Sequence, residues 1–297
     1  MYVPVKPSRS LFADIRGLKH HIRVWGDDDA PALFMLHGGW DASPTFQFLV
    51  DALKGPWRIM ALDWRGYGRS EWAEAYWFHD LVADLEVLAD RFSPHEPMTI
   101  VGHSMGSNAA HYFAGARPQR VRRFVSLDGF GLVDDSAEDA LKRYRRWLDS
   151  LKAEPFAKPY ASTADMAERL MRGNPNLTAD KAAFLAGEVS RRLDDGTFTW
   201  AFDPRHRNPY PVQTRLDGWL AGFRDIQASV LLVSAGQNRT RRLSREELQS
   251  RIGLVPKHAH VHIKDVGHNL HHDAPQLAAD IIEPFLKTGE LPKSGVI

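Results

Sequence analysis

Short apolar runs alternate with helical patterns along the chain. Residues 11–15 and Leu18–Trp25 flank Arg16-Gly17, which predicts an N-terminal antiparallel hairpin. Ala32–Leu36, Trp57–Leu62, Met98–Val101, Val121–Leu127, Val230–Val233 and His260–Lys264 are runs too short for helices. Unbroken apolar runs of this length suit strands buried on both faces, as in a parallel sheet. Between them, Phe78, Leu81, Val82, Leu85, Leu88 and Phe92 share one face of a predicted helix over Tyr76–Phe92. Further helices are predicted from Ser104 to Ala116, stopped by Pro118, and over Pro275–Leu286. This alternation predicts a doubly wound α/β sheet.

The alternation breaks between Gly131 and Asp225. Helical patterns over Ser136–Leu151, Ser162–Arg172 and Thr178–Arg191 each open on a Ser or Thr suited to an N-cap. A polar turn, Asp194-Asp195-Gly196, and a Pro-rich tract, Arg205–Pro211, follow. The stretch 131–225 is therefore expected to be a mainly helical cap over the sheet's carboxyl edge. It would be inserted into a core made of residues 1–130 and 226–297. Neither an internal repeat nor a low-complexity segment is present.

A chain of 297 residues is long enough for one large domain carrying such an insertion. Lys and Arg number 38 against 37 Asp and Glu, so the balance gives no reason to expect a nucleic-acid partner or a membrane surface. Cysteine is absent, which excludes disulfides, thiolate catalysis and Cys-ligated metal or iron–sulfur centres. The first residues have no apolar core of a signal peptide, and no run of transmembrane length occurs, so a reducing cytoplasm is the expected location.

Gly102-His103-Ser104-Met105-Gly106 follows a predicted strand and precedes a predicted helix. That is the context of a nucleophile elbow, a sharp turn that needs small flanking residues and lifts the serine hydroxyl to the start of a helix. A serine nucleophile needs a base. His268, in Val266-Gly267-His268-Asn269, comes just after the last predicted strand, on the edge where parallel sheets place their sites. His103 is expected to point into the packing of the elbow. His271 and His272 complete an H-x-x-H-H run followed by Asp273. This run could ligate a metal, but its reading here is a partly exposed helix start with no metal.

Four motifs in register resemble the α/β-hydrolase superfamily: His37-Gly38-Gly39-Trp40, Asp63-Trp64-Arg65-Gly66-Tyr67-Gly68-Arg69-Ser70, the elbow, and Val266-Gly267-His268-Asn269. The stretch Ala161–Arg207 is similar to the serine-hydrolase-like branch, through Arg191-Arg192, Gly196-Thr197-Phe198-Thr199-Trp200 and Asp203-Pro204-Arg205. The resemblance implies an α/β-hydrolase fold: a mostly parallel eight-stranded sheet, helices on both faces and an inserted cap. It also implies a triad in the order Ser, acid, His, and no cofactor. The family's oxyanion donors would map to the N–H groups of Gly39 and Met105, with Trp40 replacing Gly39 if the loop is shifted by one. Many relatives carry the acid in the loop after the seventh strand, but Ser234–Thr240 holds no carboxylate. Asp128, at the end of the sixth strand, is the candidate acid, with Asn238 and Asp265 as rivals. Asp63–Ser70 is read as structural, with Asp63 and Arg65 tying the loop.

Serine at the elbow argues against the branches that form an ester on a carboxylate. The expected activity is that of a carboxylesterase acting on small to medium apolar or aromatic esters through an acyl-enzyme on Ser104. Carbon–carbon bond hydrolysis, lactone hydrolysis or acyl transfer with the same triad, and a non-turnover receptor, remain alternatives. Phe198, Trp200 and Phe202 alternate on one face of an extended segment, and with Trp40 they either pack the cap or line a substrate pocket. The expected partner is a small ester-type molecule, and nothing indicates the oligomeric state.

Overall fold

The structure, a computed structural model, describes residues 2–130, 136–212, 215–237 and 243–297. The strands are β1 (Ser8–Ile15), β2 (Leu18–Trp25), β3 (Ala32–Leu36), β4 (Arg58–Leu62), β5 (Met98–His103), β6 (Val121–Leu127), β7 (Ser190–Arg192), β8 (Phe198–Trp200), β9 (Ser229–Ala235), β10 (His258–Ile263) and β11 (Gly295–Val296). The helices are α1 (Gln47–Ala52), α2 (Phe78–Phe92), α3 (Met105–Ala116), α4 (Ala140–Ser150), α5 (Thr163–Gly173), α6 (Ala179–Glu188), α7 (Leu216–Arg224), α8 (Arg245–Ile252), α9 (Leu270–Asp273) and α10 (Pro275–Thr288).

The main sheet runs β1-β2-β4-β3-β5-β6-β9-β10-β11. The β1–β2 and β2–β4 pairs are antiparallel and all later pairs parallel. The sheet thus has nine strands, not the expected eight. The extra one is β11, where Gly295 lies beside Val261 and Val296 beside His262. Beyond it, the Lys264 N–H donates to the Ile297 carbonyl. Two residues carry no readable periodicity; they pair because the edge of β10 offers unsatisfied backbone groups.

The apolar runs are continuous because alternate side chains feed two different cores. Phe34, Leu36, Ile100, Phe124, Val230 and Leu232 pack with α2, α3, α7 and α8. Leu33, Met35, Val101, Val125, Leu231 and Val233 pack with α1 and α10 on the other face. In α2 the predicted stripe is the buried face, with Leu81, Leu85 and Leu88 in the core.

Between β6 and β9 the chain leaves the sheet. Helix α5 opens on a capping box, Ser162 with Asp165. The predicted helix over 178–191 ends at Glu188, because Ser190–Arg192 pairs antiparallel with Phe198–Trp200 across the Asp194-Asp195-Gly196 turn. The cap is therefore helical with a small hairpin. Its own core, around Met166, Leu177, Ala182 and Leu185, closes on Phe48 of α1. Among the described residues, no helix is long and apolar enough to cross a membrane.

Several histidines are buried as neutral groups. Burial lowers His111 to about 3, within a sleeve of Phe124, Trp219 and Phe223. His37 and His206 fall to about 4 and His272 to about 3, again through burial. An unfolded histidine takes its proton near 6.5. Below that pH the unfolded chain binds more protons than the folded one, so stability falls as pH drops. Asp41, raised to about 6 by burial, acts in the opposite sense, but it is one group against four. Urea unfolding should show the folded state weakening from pH 6.5 to 4. His111→Phe should remove about 3 kcal/mol of that fall; an unchanged pH slope in this variant would contradict the account.

Candidate active site

The carboxyl ends of β3, β5 and β6 and the loop after β10 converge beneath the cap. At the end of β5, Ser104 adopts φ +49° and ψ −114°, the strained geometry of a sharp strand-to-helix turn. A side chain at Gly102 would sit 2.8 Å from the Ser107 backbone nitrogen, and one at Gly106 would strike the Leu36 carbonyl. Glycine is needed at both places for the turn to close. The Ser104 N–H donates to the Leu127 carbonyl of β6, which fixes the turn against the neighbouring strand.

The structure brings Ser104, His268 and Asp128 into one hydrogen-bonded chain. His268 Nε2 lies 2.9 Å from Ser104 Oγ, and His268 Nδ1 lies 2.8 Å from Asp128 Oδ2. With Nδ1–H donating to the carboxylate, Nε2 is the acceptor of the Ser104 hydroxyl's hydrogen bond. Asp128 also has a positive φ, +49°, which a short polar side chain tolerates. Its other oxygen accepts from the Ala235 N–H at 3.1 Å, and its own N–H donates to the Val233 carbonyl. The carboxylate is thereby held from β9 although it belongs to the end of β6. Asp265 is exposed, away from this chain of bonds. Asn238 lies outside the described residues.

Gly39 and Met105 face one another: a side chain on Gly39 would meet Met105 Sδ at 3.8 Å. Met105 is the first residue of α3, where the backbone N–H has no partner within the helix. The Gly39 loop is anchored by His37. Its Nδ1 lies 2.7 Å from the Gly38 carbonyl, its Nε2 accepts from the Trp64 N–H, and its carbonyl accepts from the Trp64 indole. Asp63 accepts from the N–H groups of Ser43 and Arg69, and Arg65 holds Asp84 of α2 with two bonds. These contacts account for the glycine-rich stretch over 63–70 as a tie between loops.

A cavity of about 430 Å³ opens beside His268 and Gly39, with Trp40, Trp200, Phe202, Leu177, Leu185 and Val189 among its walls. Trp40 is more than half exposed, has φ +64° and stacks edge-on to Phe202. Of the two readings for Phe198, the structure shows cap packing: like Trp200 it lies against the core of Met166, Leu177 and Leu185, but it is not part of the cavity wall.

His271 and His272 also depart from expectation: both are buried. Their Nε2 atoms lie 2.9 and 2.5 Å from Thr45 Oγ1, and the Asp41 carboxyl bonds the same hydroxyl. Ligand atoms of Asp41, His271 and His272 lie within 4.8 Å of one another, a donor set that would suit a zinc-like ion. The Thr45 hydroxyl already stands where such an ion would sit, and it satisfies both nitrogens. Burial, with the charges of neighbouring histidines, holds His103 and His271 well below the usual histidine range. The N–H of His103 donates to the His268 carbonyl at 3.0 Å and so positions that loop. The sequence pattern gave no hint of Asp41 or Thr45, apart from their nearness to the His-Gly-Gly-Trp loop.

Residues 31–275 match the profile of the α/β hydrolase fold family. The chain belongs to this family. A serine hydrolase-like protein of Danio rerio is 30% identical over 221 residues, covering 72% of this hydrolase and 67% of that protein. A serine hydrolase-like protein of Mus musculus is 24% identical over 295 residues, covering 90% and 91%. Among solved structures, the thioesterase domain from the curacin biosynthetic pathway is similar in fold, with a TM-score of 0.81 at 24% identity over 93% of this chain and 99% of that one.

If this hydrogen-bonded chain activates Ser104, a fluorophosphonate should label that serine of the hydrolase and no other, and Ser104→Ala should abolish labelling. Asp128→Asn keeps an acceptor for Ala235 but favours the wrong imidazole tautomer. It should slow labelling roughly a thousand- to ten-thousand-fold with an unchanged circular dichroism spectrum. Labelling at the wild-type rate would remove Asp128 from the assignment.

Proposed function

We propose that this hydrolase is a carboxylesterase that cleaves small to medium apolar or aromatic esters through an acyl-enzyme on Ser104. The observation that carries the reading is the Ser104–His268–Asp128 chain at 2.9 and 2.8 Å, whose His268 lines a cavity walled by both apolar and polar side chains. His268 takes the Ser104 proton as Oγ attacks the acyl carbon. The N–H groups of Gly39 and Met105 receive the oxyanion, where preorganised donors are worth most. His268 then gives its proton to the leaving alcohol. Water, deprotonated by the same imidazole, attacks the acyl-enzyme and releases the acid. Asp128 orients the ring and stabilises its protonated form throughout.

The cavity volume supports a medium-sized substrate, since pockets for small ligands run from about 300 to 1,000 Å³. Trp200, Phe202 and Leu185 offer apolar contact to an acyl chain or aromatic group. We take the enzyme to be cytoplasmic, with no nucleic-acid partner and no cofactor requirement. The test is a panel of p-nitrophenyl esters of rising acyl length. kcat/KM should peak at short to medium chains and fall for long ones, and Leu185→Trp should move the peak to shorter chains. Turnover of diketones without turnover of any ester, or dependence on an added acceptor alcohol, would contradict the reading.

A further inference from the structure

Helix α4 has an apolar face that the described residues leave largely uncovered. At 100° per residue, Leu141, Tyr144, Trp147, Leu148 and Leu151 fall within an arc of about 120° on the helix and its C-cap. A helix with such a face normally turns it to the core, yet no residue of α4 is buried. Of the five apolar side chains, Trp147 is the one partly covered, against Trp77. Leu141 is 69% exposed, Leu148 50% and Leu151 58%, and Phe156 beyond the helix is 70% exposed.

The opposite face is cationic. Lys142, Arg143, Arg145 and Arg146 stand against a single acidic residue, Asp149, while Glu138 and Asp139 sit at the helix's N-terminal end. The balanced charge of the whole chain conceals this concentration. Leu, Tyr and Trp on one face and Lys and Arg on the other, with low overall hydrophobicity, is the composition of a helix that lies in the plane of a lipid interface. We infer that α4 docks this hydrolase on an anionic lipid surface. The apolar arc enters the headgroup boundary and the basic side chains meet lipid phosphates and carboxylates. A second copy of the chain is a poorer occupant, because face-to-face pairing of two α4 helices would bring their basic flanks together.

Phe156, exposed just beyond α4, adjoins the cavity. Arg207, a cavity residue, donates to the Phe156 carbonyl at 3.2 Å and lies over the rings of Trp40 and Phe202. Seating α4 and Phe156 on lipid therefore brings the cavity's rim close to the interface, where an amphiphilic molecule could enter. Binding itself does not depend on the esterase reading, and is measured without turnover.

The experiment is flotation of the full chain with vesicles of phosphatidylcholine alone, and with vesicles in which about a third is phosphatidylserine. The protein should float with the anionic vesicles and at least about ten-fold less with the neutral ones. Leu141→Ser with Leu148→Ser should lower anionic binding about ten-fold, and Arg145→Glu with Arg146→Glu should abolish the preference for anionic lipid. Both variants should keep the wild-type circular dichroism spectrum. Failure of the wild-type chain to float with anionic vesicles would overturn the inference. So would a dimer in sedimentation that the leucine variant dissolves, since a second copy would then cover the face.

Discussion

Between β5 and α3 the chain reverses within a space that holds only bare backbone at Gly102 and Gly106, pressed against Ser107 and the Leu36 carbonyl. That closeness sets the position of Ser104 and aims the first N–H groups of α3 at the same point. Among the described residues, four other than glycine have positive φ, and three of them, Trp40, Ser104 and Asp128, surround this point. Each strained residue costs of order 1–3 kcal/mol and persists only where its surroundings over-determine it. Here the Ser104–Leu127 and Asp128–Val233 backbone bonds and the anchoring of the Gly39 loop by His37 supply that restraint.

The histidines around the serine divide by solvation. His268 has its side chain about a quarter exposed, while His103 and His271 are buried with ring centroids 4.7 and 4.5 Å from a neighbouring imidazole. In the proposed acyl transfer, a protonated neighbour would repel the imidazolium that forms on His268. Burial keeps His103 and His271 neutral, which removes that repulsion. The same burial makes the fold sensitive to acid, because the neutral histidines are protonated in the unfolded chain.

Much of the sheet was legible because its strands are buried on both faces and their apolar runs are unbroken; Val121–Leu127 is predicted and observed with the same ends. The residues brought to Ser104 were legible for a related reason, since each stands at the end of such a run. Legibility fails where pairing, not periodicity, decides. The β11 strand is two residues at an open edge, and β7 takes the end of a stretch whose own pattern is helical. Phe198 alternates with Trp200 in sequence and both pack on the cap's core, yet of the two it is Trp200 that reaches the cavity. His271 and His272 read as a helix start near solvent, but Thr45, more than two hundred residues earlier, draws them inside. The unpartnered face of α4 was invisible for a different cause: an amphipathic pattern states that a face will be covered, not by what.

If Ser104 carries an acyl group during turnover, acid quenching of the wild-type chain milliseconds after mixing with a p-nitrophenyl ester should trap it for intact-mass measurement. The expected result is a burst of about one nitrophenolate per chain, a mass increase equal to the acyl group, and its location by fragmentation on Ser104. Steady hydrolysis by the wild-type protein with neither a burst nor an adduct, or an adduct on another residue, would show that no acyl group passes through Ser104.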